Sequence, residues 1–210
     1  MGGILLGILL SVALLVMVAV PVVIEQIKAA DRTYALSNLK QLNFSLIDFD
    51  NDYGRFPDDT TIPMVKASTH TTIPLGTKTS NDYFRQLVAV GNSEKFLWAK
   101  TTTTPRKPDG NITGTHAVEK GECSYAYVAG LSSSDDPGTP LAMTPMLPGT
   151  EQFDPDVFGD KAVILRIDGS AKPETIRTDN RKVSVQGGRT LFEPGMWYWN
   201  GKKPDLKWAE

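Results

Sequence analysis

Carboxylates at short, regular intervals are the first residues in this chain whose types and spacing could do chemistry. Asp48, Asp50 and Asp52 alternate, and Gly54 follows them. Such a run could supply oxygen ligands to Ca2+, but a helix–loop–helix calcium loop needs glycine at its sixth position and an acidic bidentate ligand at its twelfth. Counted from Asp48, the sixth residue is Tyr53 and the twelfth is Asp59. The wrong sixth residue makes solvated helix acids the better reading. Asp154, Asp156 and Asp160 form a second acidic set, in a loop. There a Ca2+ site stands against plain surface solvation.

Other reactive side chains are sparse. His70 and His116 stand alone in expected loops, and Cys123 is the only cysteine. One cysteine makes no disulfide within the chain, and no zinc-ligand spacing is present. His116 and Cys123 could be read as a base and a thiol, yet no third residue orients them and no nucleophile motif surrounds them. Cys123 reads instead as a small apolar packing residue. No glycine-rich phosphate loop occurs. The expectation is a protein without catalysis, without a small-molecule substrate and with no cofactor beyond Ca2+. A net charge of −2 and the lack of a basic stripe argue against a nucleic-acid partner.

The elements that must carry these residues begin with an apolar run. Gly2–Ile24 contains no charged side chain. As a helix it spans about 34 Å at ~1.5 Å per residue, enough for a hydrocarbon layer of about 30 Å. In lipid a single span must be helical to satisfy its own backbone. Pro21 would kink it. A cleaved signal peptide would have a basic start, a shorter apolar core and an A-x-A-like site. No Lys or Arg precedes Lys28 and no such site follows, so an uncleaved anchor is expected. Lys28, Arg32 and Lys40 follow the span, and the positive-inside rule counted literally puts that side in the cytoplasm.

Beyond Ile24 the pattern becomes amphipathic. Ala35, Leu39, Leu42, Leu46, Phe49 and Tyr53 recur at intervals of four and three, the stripe of a helix with one face to be covered. Asn38, Lys40, Gln41, Ser45, Asp48 and Asp52 lie mostly off it. The stripe is shorter than a sustained coiled coil, so a sheet of the same chain is its expected cover. Gly54 and Pro57 end the helix, which should run from about residue 3 to about residue 53.

About 155 residues remain, one domain's worth. Asp58–Lys78 reads as irregular. Ser80 or Asn81 can cap a helix over Asp82–Val90, with Tyr83, Leu87 and Val90 facing the core. Ser93–Ala99 fits a helical turn or a short strand. Lys100–Lys120 reads as loop. Cys123–Gly130 is rich in strand formers, and Leu141–Met146 reads as a short edge strand between prolines. Lys161–Ile167 is the strongest strand. Asp168-Gly169 signals a two-residue hairpin turn, returning along Ala171–Arg177. Arg181–Glu210 holds Trp197, Tyr198, Trp199 and Trp208. These aromatics either anchor the tail on the sheet or expose a binding surface. The order gives an α+β fold.

Tyr34–Leu42, Leu46 and Asp52–Pro57, with the strand–Asp-Gly–strand pattern at Lys161–Ile176, resemble the major pseudopilins of type II secretion and the wider type IV pilin-like proteins. The stretch is especially similar to pseudopilin-like proteins of the Planctomycetes–Verrucomicrobia group. The resemblance covers about Val20–Pro57 well. It implies a pilin-like architecture, a long helix packed on a small antiparallel sheet. The parts are then residues 1–24 (membrane half of the helix), 25–57 (amphipathic half and its end), 58–180 (head) and 181–210 (extension). It implies helix packing through Leu39, Leu42, Leu46, Phe49 and Tyr53. Relatives of this kind carry Ca2+ in a C-terminal loop, which adds interest to Asp154, Asp156 and Asp160.

By resemblance, the chain is a structural subunit of a secretion or pilus-like assembly. It would be single-pass in a bacterial inner membrane, with its head in the periplasm or envelope and copies of itself or other pilin-like subunits as partners. The family's processing signal is a short basic leader, a glycine, then Phe-Thr-Leu-x-Glu. Here Gly3 alone could stand for the cleavage glycine; no Phe or Glu follows it, and Gly2–Ile24 has no acid. The alternative is therefore a permanently anchored envelope protein. Its pilin-like head binds an envelope partner or glycan without forming a filament.

Overall fold

The computed structural model describes residues 17, 19–104, 106–185 and 187–210 in full, and the backbone course alone at 2–16, 18 and 186. The expected membrane span and Gly3 therefore lie largely outside the fully described residues. Among the described residues no helix is long and apolar enough to cross a membrane.

Helix α1 runs Gly2–Tyr53 with Pro21 inside it. Its last turn closes with Gly54 N donating to Asp50 O at 2.7 Å. Gly54 then takes φ +81°, a left-handed turn that ends the helix without a Cβ penalty. The stripe is where its periodicity places it: Ala35, Leu39, Leu42, Leu46 and Phe49 are buried, and Tyr53 is half-buried at the rim. Its cover is the head of the same chain. Two residues expected off the stripe are also buried, because polar groups of the head meet them. Asn38 donates to Trp98 O (2.8 Å) and Ser45 to Asn92 Oδ1 (2.7 Å).

Asp58–Lys78, expected to be irregular, contains helix α2, Ile62–Thr69. Pro63 lies in its first turn, where an N–H is not needed. The Asp58 carboxylate accepts from Thr60 N and Thr61 N and shapes the entry. Helix α3, Ser80–Ala89, is capped one residue earlier than expected, by Thr79. Thr79 and Asp82 exchange side-chain-to-backbone bonds as a capping box. Ser80 and Asn81 are instead buried, and Asn81 Nδ2 donates to the Val118 and Glu119 carbonyls. Tyr83 and Leu87 face the core with Phe84 and Val88; Val90 is only half-buried. Glu94–Leu97 is one 3-10 turn.

The strands are β1 (Ala126–Ala129), β2 (Pro140–Thr144), β3 (Lys161–Arg166), β4 (Ala171–Thr175) and β5 (Asp205–Lys207). They form one antiparallel sheet in the order β4-β3-β2-β1-β5. β2 is thus central, which corrects the edge expectation. Pro140 is tolerated because it is the strand's first residue. The true edges are β4 and β5, and β5 comes from the tail, pairing Val128 with Leu206.

The hairpin between β3 and β4 also differs from expectation. Gly169 N donates to Arg166 O (2.9 Å) and Arg166 N to Ser170 O (3.0 Å). This is a three-residue loop, in which Gly169 takes φ +77° while Asp168 does not enter the left-handed region. The reason is tertiary. Ile167 N donates to Thr139 O (3.1 Å) and Asp168 N to Pro137 O (3.0 Å), so the neighbouring chain claims the amides of the turn.

The inner strands β1, β2 and β3 are buried on both faces, while the edge strands β4 and β5 are partly exposed. Tyr125, Tyr127, Val163 and Leu165 meet α1 and α3 on the inner side. Tyr125 Oη donates to Ala35 O (3.2 Å) and Tyr127 Oη to Pro57 O (2.9 Å), tying the inner face to the helix and its exit. Ala126, Val128, Ala162 and Ile164 face outward beneath Leu191, Phe192, Met196, Tyr198 and Trp199 of the tail. Two-sided burial explains why β1–β3 read as continuous apolar runs.

Candidate functional site

Two surfaces and one buried cluster carry the features with functional potential. The first surface is α1 itself. Arg32 Nη1 donates to Phe158 O (2.8 Å) and Lys100 pairs with Asp31 (3.5 Å), near where the helix leaves the head. Before that point Met17, Val20, Val22, Val23, Ile24 and Ile27 are exposed. Further along, on the side away from the sheet, Phe44 is 70% exposed. One helix thus presents a buried apolar face in its second half and uncovered apolar side chains in its first.

The acidic alternation at the helix end is not uniform. Asp48 and Asp52 are solvated, but Asp50 is buried, which corrects the expectation for it. Its carboxylate accepts from Ser133 Oγ (2.5 Å) and Ser133 N (3.3 Å), pinning the loop between β1 and β2 to α1. A helix acid reads as solvent-facing from spacing alone; only the loop folding back onto it shows otherwise.

Asp154, Asp156 and Asp160 do not converge on one point. Among the described residues, the one acidic group whose ligand atoms all approach each other is Glu94, Asp109 and Glu122. Asp154 Oδ1 accepts from Asp156 N (3.0 Å) and Oδ2 from Thr102 (2.8 Å), so this carboxylate organises its own loop. Asp160 takes φ +55° and its carbonyl accepts from Ile176 N at 3.0 Å. Its role is to turn the chain into β3. Asp168 is exposed at the hairpin tip, and Gly169 lies against Asn43 of α1.

Cys123 and His116 have separate partners. Cys123 is fully buried, near Ser80 Oγ (3.7 Å) and Tyr125 O (3.6 Å). Burial pushes its thiol up to about 11. His116 Nδ1 lies 2.9 Å from Glu119 Oε1 on the surface.

The second surface is the outer edge of the tail. Tyr198 and Trp199 are buried and both donate to Leu191 O (2.8 and 3.0 Å). They anchor the tail. Trp197 points the other way and is 60% exposed. It borders a cleft of about 550 Å³ lined also by Asp135, Asp136, Lys202 and Lys203. A second cleft of about 560 Å³ adjoins it through Lys203–Asp205 and reaches Trp208. Of the tail aromatics that could form a binding surface, only Trp197 and the half-buried Trp208 retain access.

The cluster of Glu94, Asp109 and Glu122 was invisible to spacing. The three lie on a 3-10 turn and at two points of the long segment before β1. Glu94 and Glu122 are wholly buried, while Asp109 is exposed. Burial, with the facing Glu94 charge adding to it, holds the Glu122 carboxyl above the usual carboxylate range.

No protein-family model, no curated protein and no solved structure matches this chain.

Proposed function

We propose that the chain is a membrane-anchored pilin-like subunit, a structural component of a type II secretion or type IV pilus-like assembly. It sits in a bacterial inner membrane by a single span, with its head in the periplasm or envelope. The observation that carries this reading is the division of α1. Its second half is sealed into the head through Leu39, Leu42, Leu46 and Phe49, while its first half leaves the head with Met17, Val20, Val22, Val23, Ile24 and Ile27 uncovered. Uncovered apolar side chains in such a row call for lipid or other helices. The sequence resemblance at Tyr34–Pro57 and at the β3–β4 hairpin supports the same reading.

The test uses the buried state of Cys123, which leaves introduced cysteines as the only accessible thiols. Ile27→Cys and Phe44→Cys chains are expected to remain in carbonate-washed membranes and to cross-link into ladders of the chain or its partner subunits. A full chain recovered as a soluble monomer would refute the anchor. Membrane retention without any cross-link at either position would favour the second reading, a permanently anchored binding protein. One observation favours that second reading, the exposed Trp197 beside a cleft with both acidic and basic walls.

A further inference from the structure

We infer that the groove beside Trp197 binds an uncharged, β-linked oligosaccharide, with one sugar ring stacked on the exposed indole. This ligand class rests on the reading of the tail as a binding surface and needs neither the membrane anchor nor the filament. The groove is longer than one ring. The cleft of about 550 Å³ beside Trp197 meets the one of about 560 Å³ at Lys203–Asp205. At Trp197 and Tyr198 it also meets a third, of about 450 Å³, lined by Arg166, Lys172 and Glu174. Each falls within the range of ligand sites, roughly 300–1,000 Å³, and their succession suits a chain of several sugars.

Trp197 is exposed yet held. Its ring stands edge-on to buried Tyr198, with centroids 5.0 Å apart at 73°. Its indole N–H edge lies by Gly138, where an added Cβ would stand 3.7 Å from Nε1. The turn that carries it is closed by Asn200 N donating to Trp197 O (3.1 Å) and Lys202 N to Trp199 O (2.8 Å). A fixed aromatic binds at low ordering cost. The opposite wall is fixed too. Asp135 Oδ2 accepts from Ser132 N (2.8 Å), Asp136 Oδ1 from Gly138 N (2.8 Å), and Ser133 N donates to Asp50 of α1 (3.3 Å). Asp135 and Asp136 each keep a second oxygen without a hydrogen bond among the described residues. Lys202 and Lys203 supply exposed donors on the same lining, and Asp205 is already paired with Lys207 at 3.0 Å. Donors and acceptors in near-equal charge match hydroxyls, which both donate and accept, better than they match an ion. A β-linked pyranose has equatorial hydroxyls and a flat C–H face, which suits the negative face of an indole. A peptide fits less well. The adjoining edge strand β5 has three residues and follows Pro204, which has no N–H for strand addition. Phe192, Tyr198 and Trp199 are buried, so they leave no apolar pocket for an anchoring side chain.

The test is calorimetric titration of the full chain, in a detergent without a sugar headgroup, with the β-1,4-linked hexamers of glucose and of N-acetylglucosamine. At least one should bind, with a change in tryptophan fluorescence as the indole is covered. Trp197→Ala should weaken binding at least about tenfold, and Trp197→Phe should retain part of it. Trp197 is exposed, so both variants should keep the melting temperature of the parent chain. Lys203→Ala should weaken binding less than Trp197→Ala. The affinity should hold between about 0.1 and 0.5 M NaCl, because no net charge is exchanged. Absence of binding by both hexamers up to about 10 mM would overturn the assignment. So would binding that survives intact in Trp197→Ala, or that disappears at the higher salt and so marks an ionic partner. Membrane retention and cross-linking at Ile27→Cys and Phe44→Cys decide the anchor and the filament separately, since neither position lines the groove.

Discussion

Leu42 and Phe44 lie two residues apart on α1 and make opposite predictions. Leu42 is completely buried under the sheet, whereas Phe44 is 70% exposed. Leu42→Ala removes three carbon groups, about 2.4 kcal/mol at ~0.8 kcal/mol each. The inner face cannot collapse freely onto the gap, because Tyr125 and Tyr127 tie the sheet to α1 and its exit by hydrogen bonds. A cavity contribution therefore adds to the transfer loss, and the total should fall at about 3–5 kcal/mol. Phe44→Ala removes a larger side chain yet should change head stability by no more than about 0.5 kcal/mol. The measurement is urea unfolding of the detergent-solubilised chain, followed by tryptophan fluorescence from buried Trp98 and Trp199. With a slope of roughly 1–3 kcal/mol per molar urea, Leu42→Ala should lower the midpoint by at least about 1 M. Equal midpoint shifts for the two variants, or a Leu42→Ala cost under about 1 kcal/mol, would refute the assignment of the stripe as the core-facing side.

Two further predictions concern a turn and a thiol. Gly169→Ala should destabilise the chain by about 1–2 kcal/mol for the left-handed backbone alone. The new Cβ would also stand 2.9 Å from Asn43 Nδ2, the far end of a side chain that can turn aside, so the backbone conformation sets the cost; thermal unfolding checks this, and a neutral result would refute it. Cys123 should resist a thiol reagent at pH ~8 until the chain is unfolded. Its folded value is raised to about 11 from 9.0, so the unfolded chain gives up this proton first. The corresponding stability is complete below pH 9.0 and is lost as pH rises toward about 11. Cys123→Ala should flatten that part of the stability–pH profile, and an unchanged slope would show that the buried tyrosines alone produce it.

The helix, its end and its buried face were legible because their causes are local. A 3.6-residue period needs only neighbours three and four apart, and Gly54 ends the helix through its own backbone freedom. α2 was missed because Pro63 reads as a loop residue unless its place in a first turn is known. The hairpin was legible as a turn, but its loop length was set by carbonyls at Pro137 and Thr139 that lie far away in sequence. The tail's aromatics announced burial or binding without deciding between them. The fold divides them, burying Tyr198 and Trp199 and leaving Trp197 outside.

By itself, then, the sequence determined an α+β chain built on one long helix, with an apolar first half and an amphipathic second half. Periodicity and composition are properties of short windows, and these features need nothing else. Only the tertiary structure decided that β2 is central, that Asp50 is buried, and that Asp154, Asp156 and Asp160 do not converge. It alone brought Glu94, Asp109 and Glu122 together. Strand order and carboxylate convergence depend on contacts between residues remote along the chain, and a one-dimensional pattern carries no record of which distant segments will meet.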